Sequence, residues 1–76
     1  MQSNYLKRNA TMDNTGIYYR SEVKKAYENA SELREGRKWV IRSHFGIWGI
    51  LLSDESMTMS EAWKSAYNRL KSEGKL

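Results

Sequence analysis

Residues 37–52 read RKWVIRSHFGIWGILL and form the most apolar stretch of the chain. Large apolar side chains recur there at every second position, from Trp39 to Ile41 and again from Trp48 to Leu52, which is the period of extended chain. We predict two strands joined by a connection at residues 43–46, because its last residue, Gly46, takes a positive φ without steric cost. A single buried helix is the alternative; Gly46 and Gly49 would each destabilise it by about 1 kcal/mol relative to alanine.

Length and composition limit the possible classes of protein. A chain of 76 residues forms one small domain, and folding buries only about 60 to 65% of the surface of the unfolded chain. The chain contains no Cys, which excludes disulfides and thiolate metal sites. No apolar run approaches the roughly 20 residues of a membrane span, and no continuous apolar segment of a signal peptide is present. We therefore expect a soluble cytoplasmic protein with no membrane partner.

The chain before this apolar stretch divides into an arm and a helix. Residues 1–16 are rich in Asn, Ser and Thr without a clear period, and we predict a flexible N-terminal arm ahead of a domain at residues 17–76. Residues 21–35 carry apolar side chains three and four positions apart, which predicts an amphipathic helix capped by Ser21 and ended by Gly36. Those apolar positions are Val23, Ala26, Tyr27, Ala30 and Leu33.

A second helix follows the apolar stretch. The segment Thr58-Met59-Ser60-Glu61 has the form of a capping box, in which Thr58 accepts a hydrogen bond from a backbone N–H three residues later. An apolar face then follows at helical spacing, and Gly74 is placed to end the helix. That face consists of Met59, Ala62, Trp63, Ala66, Tyr67 and Leu70.

The predicted fold class is α+β, a small single domain of helix, β-hairpin and helix with a flexible N-terminal arm. Two strands alone are seldom stable in water, so we expect both helices on one face of the hairpin, or a third strand from the arm or from a second subunit. A hairpin followed by a helix that opens with Ser60-Glu61-Ala62 is similar to small sheet-plus-helix DNA-binding domains, such as the AP2-like and integrase arm-binding domains. The similarity covers residues 37–71 and lacks their third strand, so it assigns no family.

Catalytic chemistry has few candidate residues. His44 is the single histidine, and its predicted place in a turn favours a solvated imidazole over acid or base catalysis. No Ser or Thr stands in a pattern that would activate it as a nucleophile. One histidine and scattered carboxylates make a metal site improbable. We predict a protein that is not an enzyme and has no cofactor.

Two surfaces are candidate binding sites. On the hairpin, cations accompany aromatic residues, as a nucleic-acid groove requires. These residues are Arg37, Lys38, Trp39, Arg42, His44, Phe45 and Trp48. The short length of the chain favours the alternative, in which both tryptophans belong to the core and the cations form a solvated strand edge. On the second helix, Lys64, Arg69, Lys71 and Lys75 outnumber Glu73. Lys64, Lys71 and Lys75 share the face away from Trp63, although lysines late in a helix also complement its dipole.

These surfaces support two functional hypotheses. The first is a regulatory or binding module that occupies or bridges the surface of a protein partner. It could do so as a homodimer, formed either through the free hairpin edge or through aromatic residues that a small core leaves exposed. The second is a DNA- or RNA-binding protein, which the net charge of +4 favours.

Overall fold

The computed structural model describes residues 13–45 and 48–76, apart from the side chains of Phe45 and Trp48. Helix α1 and helix α2 are Asn14–Ala26 and Met59–Ser72; between them lie strands β1 (Ala30–Glu35), β2 (Lys38–Phe45) and β3 (Trp48–Leu51). The strands form one antiparallel sheet in the order β1-β2-β3. The predicted α+β class and the helix-hairpin-helix order are confirmed, with an additional strand before the hairpin.

Helix α1 begins and ends earlier than the sequence pattern predicts. Its N-cap is Asp13, whose side chain accepts a hydrogen bond from the backbone N–H of Gly16 at 2.8 Å. Ser21 therefore lies inside the helix, and the prediction that it is the N-cap is wrong. Asp13 and the first turn of α1 fall within the predicted arm of residues 1–16, while residues 1–12 of that arm lie outside the described residues.

The second half of the predicted first helix is strand β1. Residues Ala30–Glu35 pair antiparallel with β2, so that Leu33 lies opposite Val40. The sequence of β1 suits a helix as well as a strand, and pairing with the inner strand outweighs that propensity because it satisfies the backbone groups on that side of β2. Gly36 has the positive φ expected of it, 67°, but it serves the turn between β1 and β2 rather than the end of a helix.

The predicted turn of the main hairpin is also misplaced. Strand β2 continues through Phe45, so Ser43 and His44 are strand residues, and Gly46 lies outside the described residues. Strand formation across this stretch excludes the alternative of a single buried helix.

An irregular segment connects β3 to α2. Arg42 pairs with Leu51, whereas Trp39, three residues earlier, bridges to Ser56, five residues later. The segment after β3 therefore holds two residues more than the stretch of β2 that it faces, as in an extended β-bulge. Opposite this irregular segment, the backbone N–H of Ile41 donates to the side-chain Oγ of Ser53 at 2.8 Å and not to a backbone carbonyl.

Helix α2 has the predicted ends. Thr58 Oγ1 accepts from the backbone N–H of Glu61 at 3.1 Å, which confirms the N-cap. At the other end Gly74 has φ 75°, and the N–H of Lys75 donates to the carbonyl of Leu70 at 2.8 Å. This bond is the long one of a Schellman motif, in which glycine takes the left-handed position.

The two helices run side by side in the same direction on one face of the sheet. Ser60 Oγ donates to Asp13 Oδ1 at 3.1 Å between the helix starts, and the rings of Tyr19 and Tyr67 lie 4.9 Å apart further along. Helix α2 packs on β2 and β1, while α1 packs mainly on α2. The buried core between helices and sheet consists of Val23, Ala30, Ile41, Leu52, Ala62, Trp63, Ala66 and Leu70, with Trp39 packed against it.

Candidate protein-binding edge

The outer edge of β3 presents backbone groups that no other described residue is seen to bond. On β2, Trp39 exchanges both backbone bonds with Ser56, and the Ile41 carbonyl accepts from Leu52, so these residues face the β3 side. Alternate residues of an antiparallel strand face the same neighbour. The hydrogen-bonded pairs between β2 and β3 are therefore Ser43 with Ile50 and Phe45 with Trp48. The backbone N–H and C=O of Gly49 and Leu51 consequently point away from the sheet.

The opposite edge, on β1, is partly covered. The outward N–H of Ala30 donates to the Tyr27 carbonyl at 2.9 Å, and the Ala30 carbonyl accepts from Lys24 Nζ at 2.9 Å. The next outward residues are the charged Glu32 and Arg34. Covering groups and charged side chains are the usual means by which an edge strand avoids pairing with another chain. The two edges therefore differ, and β3 is the less protected.

Strand β3 also carries exposed apolar side chains. Ile50 is 48% exposed on the side of the sheet that carries the helices. Leu51 is 41% exposed on the opposite side, which we call the open face. The strand has no charged residue. Two large apolar side chains next to each other on such an edge mark a surface suited to contact with another chain.

A groove runs between β3 and the C-terminal end of α2. It has a volume of about 190 Å³. Its apolar part comes from both layers of the fold, and its rim carries two cations and one anion. Glu73 lies 3.7 Å from Arg69 Nε and 3.4 Å from Lys75 Nζ. The groove is lined by Tyr27, Ile50, Leu51, Leu52, Arg69, Leu70, Glu73 and Lys75.

The predicted cations of the hairpin lie on the open face of the sheet or at its turn. Arg42 Nη2 is 3.9 Å from Glu35, and Lys38 Nζ is 3.9 Å from Glu55. Arg37 is exposed in the turn between β1 and β2. Because Lys38 and Arg42 each have a nearby carboxylate, this face has less excess positive charge than the sequence pattern suggests.

The aromatic residues predicted beside those cations are only partly located. His44 is exposed on the open face, opposite Gly49. Phe45 and Trp48 pair with each other through the backbone, and their side chains lie outside the described set. Trp39 is half-buried against the core, with the Arg34 guanidinium 5.5 Å from its ring centre.

The cations of α2 are distributed over more than one surface. Arg69 lies at the groove, whereas Lys64 lines a shallow depression with Glu55 and Glu61. Lys71 Nζ is 5.5 Å from the ring centre of Tyr67. The sequence-predicted residues are thus divided among the open sheet face, the groove and the outer side of α2.

A cluster of three tyrosines adjoins Lys71 and was not singled out by the sequence pattern. The ring of Tyr18 lies 5.4 Å from that of Tyr19 and 6.0 Å from that of Tyr67. The pKa of Tyr18 is raised above 10.0, first by its hydrogen bond with Tyr67 and then by electrostatic repulsion between the two phenolates. Tyr18 and Tyr19 are consecutive in the sequence, but their nearness to Tyr67 depends on the pairing of the two helices.

Sequence reasoning also missed Ile50 and Leu51 as surface residues. Both were interpreted as part of the apolar centre, because a strand rich in apolar residues resembles a buried one. Helix α2 lies over β2 and β1 rather than β3, which leaves Ile50 uncovered. No local signal in the sequence could have shown this, because the exposure of Ile50 depends on how α2 packs on the sheet.

Neither a metal site nor a membrane span emerges within residues 13–45 and 48–76. No group of three or more His, Asp or Glu residues converges there, and neither described helix combines the length and apolar character needed to cross a bilayer. The absence of an enzymatic activity and of a cofactor stays a prediction.

Comparisons with protein-family models, with curated proteins and with solved structures give no significant match to this chain.

Proposed function

We propose that this protein is a non-enzymatic binding module that holds an extended segment of a protein partner against the edge of β3. The observation that carries the proposal is the exposure of Ile50 and Leu51 on a strand whose outer backbone groups are bonded by no described residue. Addition of a strand to a free sheet edge is a common mode of peptide recognition.

The arrangement of β3 and α2 suggests how such a segment would be held. The backbone groups of Gly49 and Leu51 would supply hydrogen bonds that are independent of the partner's sequence. Successive side chains of an added strand point to opposite faces. One set would enter the groove beside Ile50 and Leu70, and the other would lie on the open face beside Leu51. The partner segment should therefore carry apolar side chains at alternate positions.

The charges on the rim are few and lie close to one another. Glu73 is shared between Arg69 and Lys75, so the rim keeps one excess positive charge and gives an acidic segment only a small electrostatic advantage. We expect an affinity that changes little with ionic strength, because few counterions would be released on binding.

A displayed library of random peptides, screened against the intact chain, tests this proposal. We expect enriched peptides with apolar residues at every second position, and binding measured by fluorescence anisotropy should be lost in Leu51→Lys. Leu33→Lys is the matched control, since Leu33 is 39% exposed on the same sheet face but belongs to β1. Failure to enrich any peptide, or equal loss in both variants, would contradict the proposal.

Nucleic-acid binding is the second candidate function, and two observations favour it. The third strand completes the sheet-plus-helix arrangement that the sequence alone lacked, although a shared fold does not imply a shared function. Lys71 beside the tyrosine cluster also combines a cation with aromatic rings, as single-stranded nucleic acids require. The pairing of Lys38 and Arg42 with carboxylates is the reason for ranking this function second.

Salt dependence separates the second candidate from the first. Generic single- and double-stranded oligonucleotides should bind at low salt, and the affinity should fall by roughly one log unit per log unit of salt for each phosphate neutralised. The double variant Lys64→Glu with Lys71→Glu should abolish that binding. If the chain binds neither oligonucleotide at low salt, nucleic-acid binding is excluded as its function.

A further inference from the structure

We infer that the segment received by the β3 edge is β3 of a second copy of this chain. The inference rests on the proposed function, since it names the occupant of the same edge. Two copies related by a two-fold axis present the same surface to each other, so the edge must be complementary to itself. Strand β3 meets this condition in its backbone groups, in its side chains and in its charge.

The backbone groups match in an antiparallel arrangement centred on Ile50. Gly49 and Leu51 both point their backbone groups outward and are separated by one residue. An axis through Ile50 would place Gly49 of one copy opposite Leu51 of the other, and each such pair could exchange its N–H and C=O bonds. The two Ile50 residues would then form the closely spaced pair without mutual backbone bonds.

The side chains also allow self-pairing. Gly49 and Leu51 share the open face of the sheet, and the aliphatic part of Arg42 lies over Gly49, 3.3 Å from the place that a Cβ there would take. The leucine of the second copy would therefore pack on the Arg42 Cγ and Cδ atoms on both sides of the axis. On the helix side the two Ile50 side chains would meet between the two α2 helices. Ile50 and Leu51, exposed at 48% and 41% in the single chain, would both lose contact with water.

Charge and edge protection favour β3 over β1 for this contact. Strand β3 holds no charged residue, so self-pairing opposes no like charges. On β1 the outward groups of Ala30 are already bonded by Tyr27 and Lys24. Pairing through β3 would merge the two sheets into one continuous antiparallel sheet. A stable protein–protein interface buries at least about 1,200 Å², and pairing of one short strand buries much less. We therefore expect a weak dimer, with a Kd in the micromolar range or above.

Cysteine cross-linking tests both the dimer and its register. The natural chain has no Cys, so a disulfide between two protein thiols in a single-cysteine variant can form only between two copies. Ile50→Cys would place two thiols at facing positions whose Cα separation suits a disulfide. On a non-reducing gel with glutathione disulfide as the oxidant, we expect Ile50→Cys to cross-link at least about tenfold faster than the control Leu33→Cys. Equal rates would overturn the inferred register.

Sedimentation velocity of the natural chain gives a second, independent measurement. We expect the weight-average mass to rise with concentration, and Leu51→Lys to abolish the rise while Leu33→Lys preserves it.

A monomer at every concentration overturns the inference. If the natural chain is monomeric but the peptide library still yields ligands sensitive to Leu51→Lys, the second copy is excluded and the proposed function stands. If both experiments fail, both are wrong.

Discussion

Ser53 Oγ accepts a hydrogen bond from the backbone N–H of Ile41 at 2.8 Å in the interior of the protein. The same hydroxyl donates to the carbonyl of Asp54 at 3.0 Å. Ser53 is completely buried, and its side chain occupies the place that a backbone carbonyl takes in a regular ladder. The gap created by the extra residues after β3 is thereby closed without an unsatisfied donor on Ile41.

The first prediction concerns the loss of this hydroxyl. Ser53→Ala would leave the Ile41 N–H buried without a partner, and we expect the free energy of unfolding to fall by about 1 to 3 kcal/mol. Urea denaturation measures the change. Ser65→Ala is the control, because Ser65 Oγ accepts from the exposed N–H of Asp54, which water can bond instead. An equal loss in both variants would show that burial of the Ile41 N–H is not the cause.

The second prediction has the opposite sign. Ser43 is also completely buried, but no group of the described residues bonds its hydroxyl, and burying an unpaired hydroxyl is unfavourable. We expect Ser43→Ala to leave the free energy of unfolding unchanged or to raise it by about 1 kcal/mol. The same urea titration applies. A clear destabilisation would mean that the hydroxyl is satisfied in solution, for example by water in the adjoining cavity beside Tyr27 and Asn29.

The third prediction concerns pH. The pKa of Asp13 lies below its usual 3.8, chiefly because the Gly16 N–H bonds the carboxylate and secondly because the Ser60 hydroxyl does so. A carboxyl group with a lowered pKa in the folded state stabilises the protein above its unfolded pKa, and this contribution is lost as the pH falls through the folded value.

We therefore expect the unfolding free energy to decline as the pH drops below about 4. The decline should be shallower in Asp13→Asn, which keeps a capping oxygen but cannot titrate. Thermal or urea unfolding from neutral to acidic pH measures both profiles. Parallel profiles for the two proteins would argue against any role of Asp13 in acid sensitivity.

The fourth prediction concerns the turn between β1 and β2. Gly36 has φ 67°, and an added Cβ would meet no atom of the described residues within 4 Å. Any cost of substitution must therefore come from the backbone conformation, and Gly36→Ala should lower the unfolding free energy by about 1 to 2 kcal/mol. Gly36→Asn should cost less, because asparagine tolerates the left-handed region. Arg37→Ala, at the neighbouring exposed position, should have little effect on the urea midpoint.

The sequence predicted α2 well because every signal for it is local. The cap at Thr58, the apolar spacing and the terminating Gly74 all act within a few residues. The same is true of the extended character of β2 and β3. In these parts of the chain the period of the side chains and the chemistry of the ends agree, so the local pattern determines the structure.

The errors at α1 and β1 have a different origin. The apolar residues Val23, Ala26 and Ala30 continue one helical row, but the chain leaves the helix after Ala26 because β2 can bond a strand on its outer side. This gain depends on a partner distant in sequence. For the same reason no local pattern could show that α2 covers β2 and β1 and leaves Ile50 exposed.

The irregular segment after β3 constrains the evolution of chain length. Its extra residues must reach from the Leu51 pair to the Ser56 bridge while keeping the Ser53 hydroxyl at the Ile41 N–H. Deleting one residue there would turn the side chains beyond it to the opposite face of the sheet. It would break the Arg42–Leu51 pair, the Trp39–Ser56 bridge or the hydrogen bond from the Ile41 N–H to Ser53. Related chains should vary in length at other surface loops before they vary between residues 52 and 56.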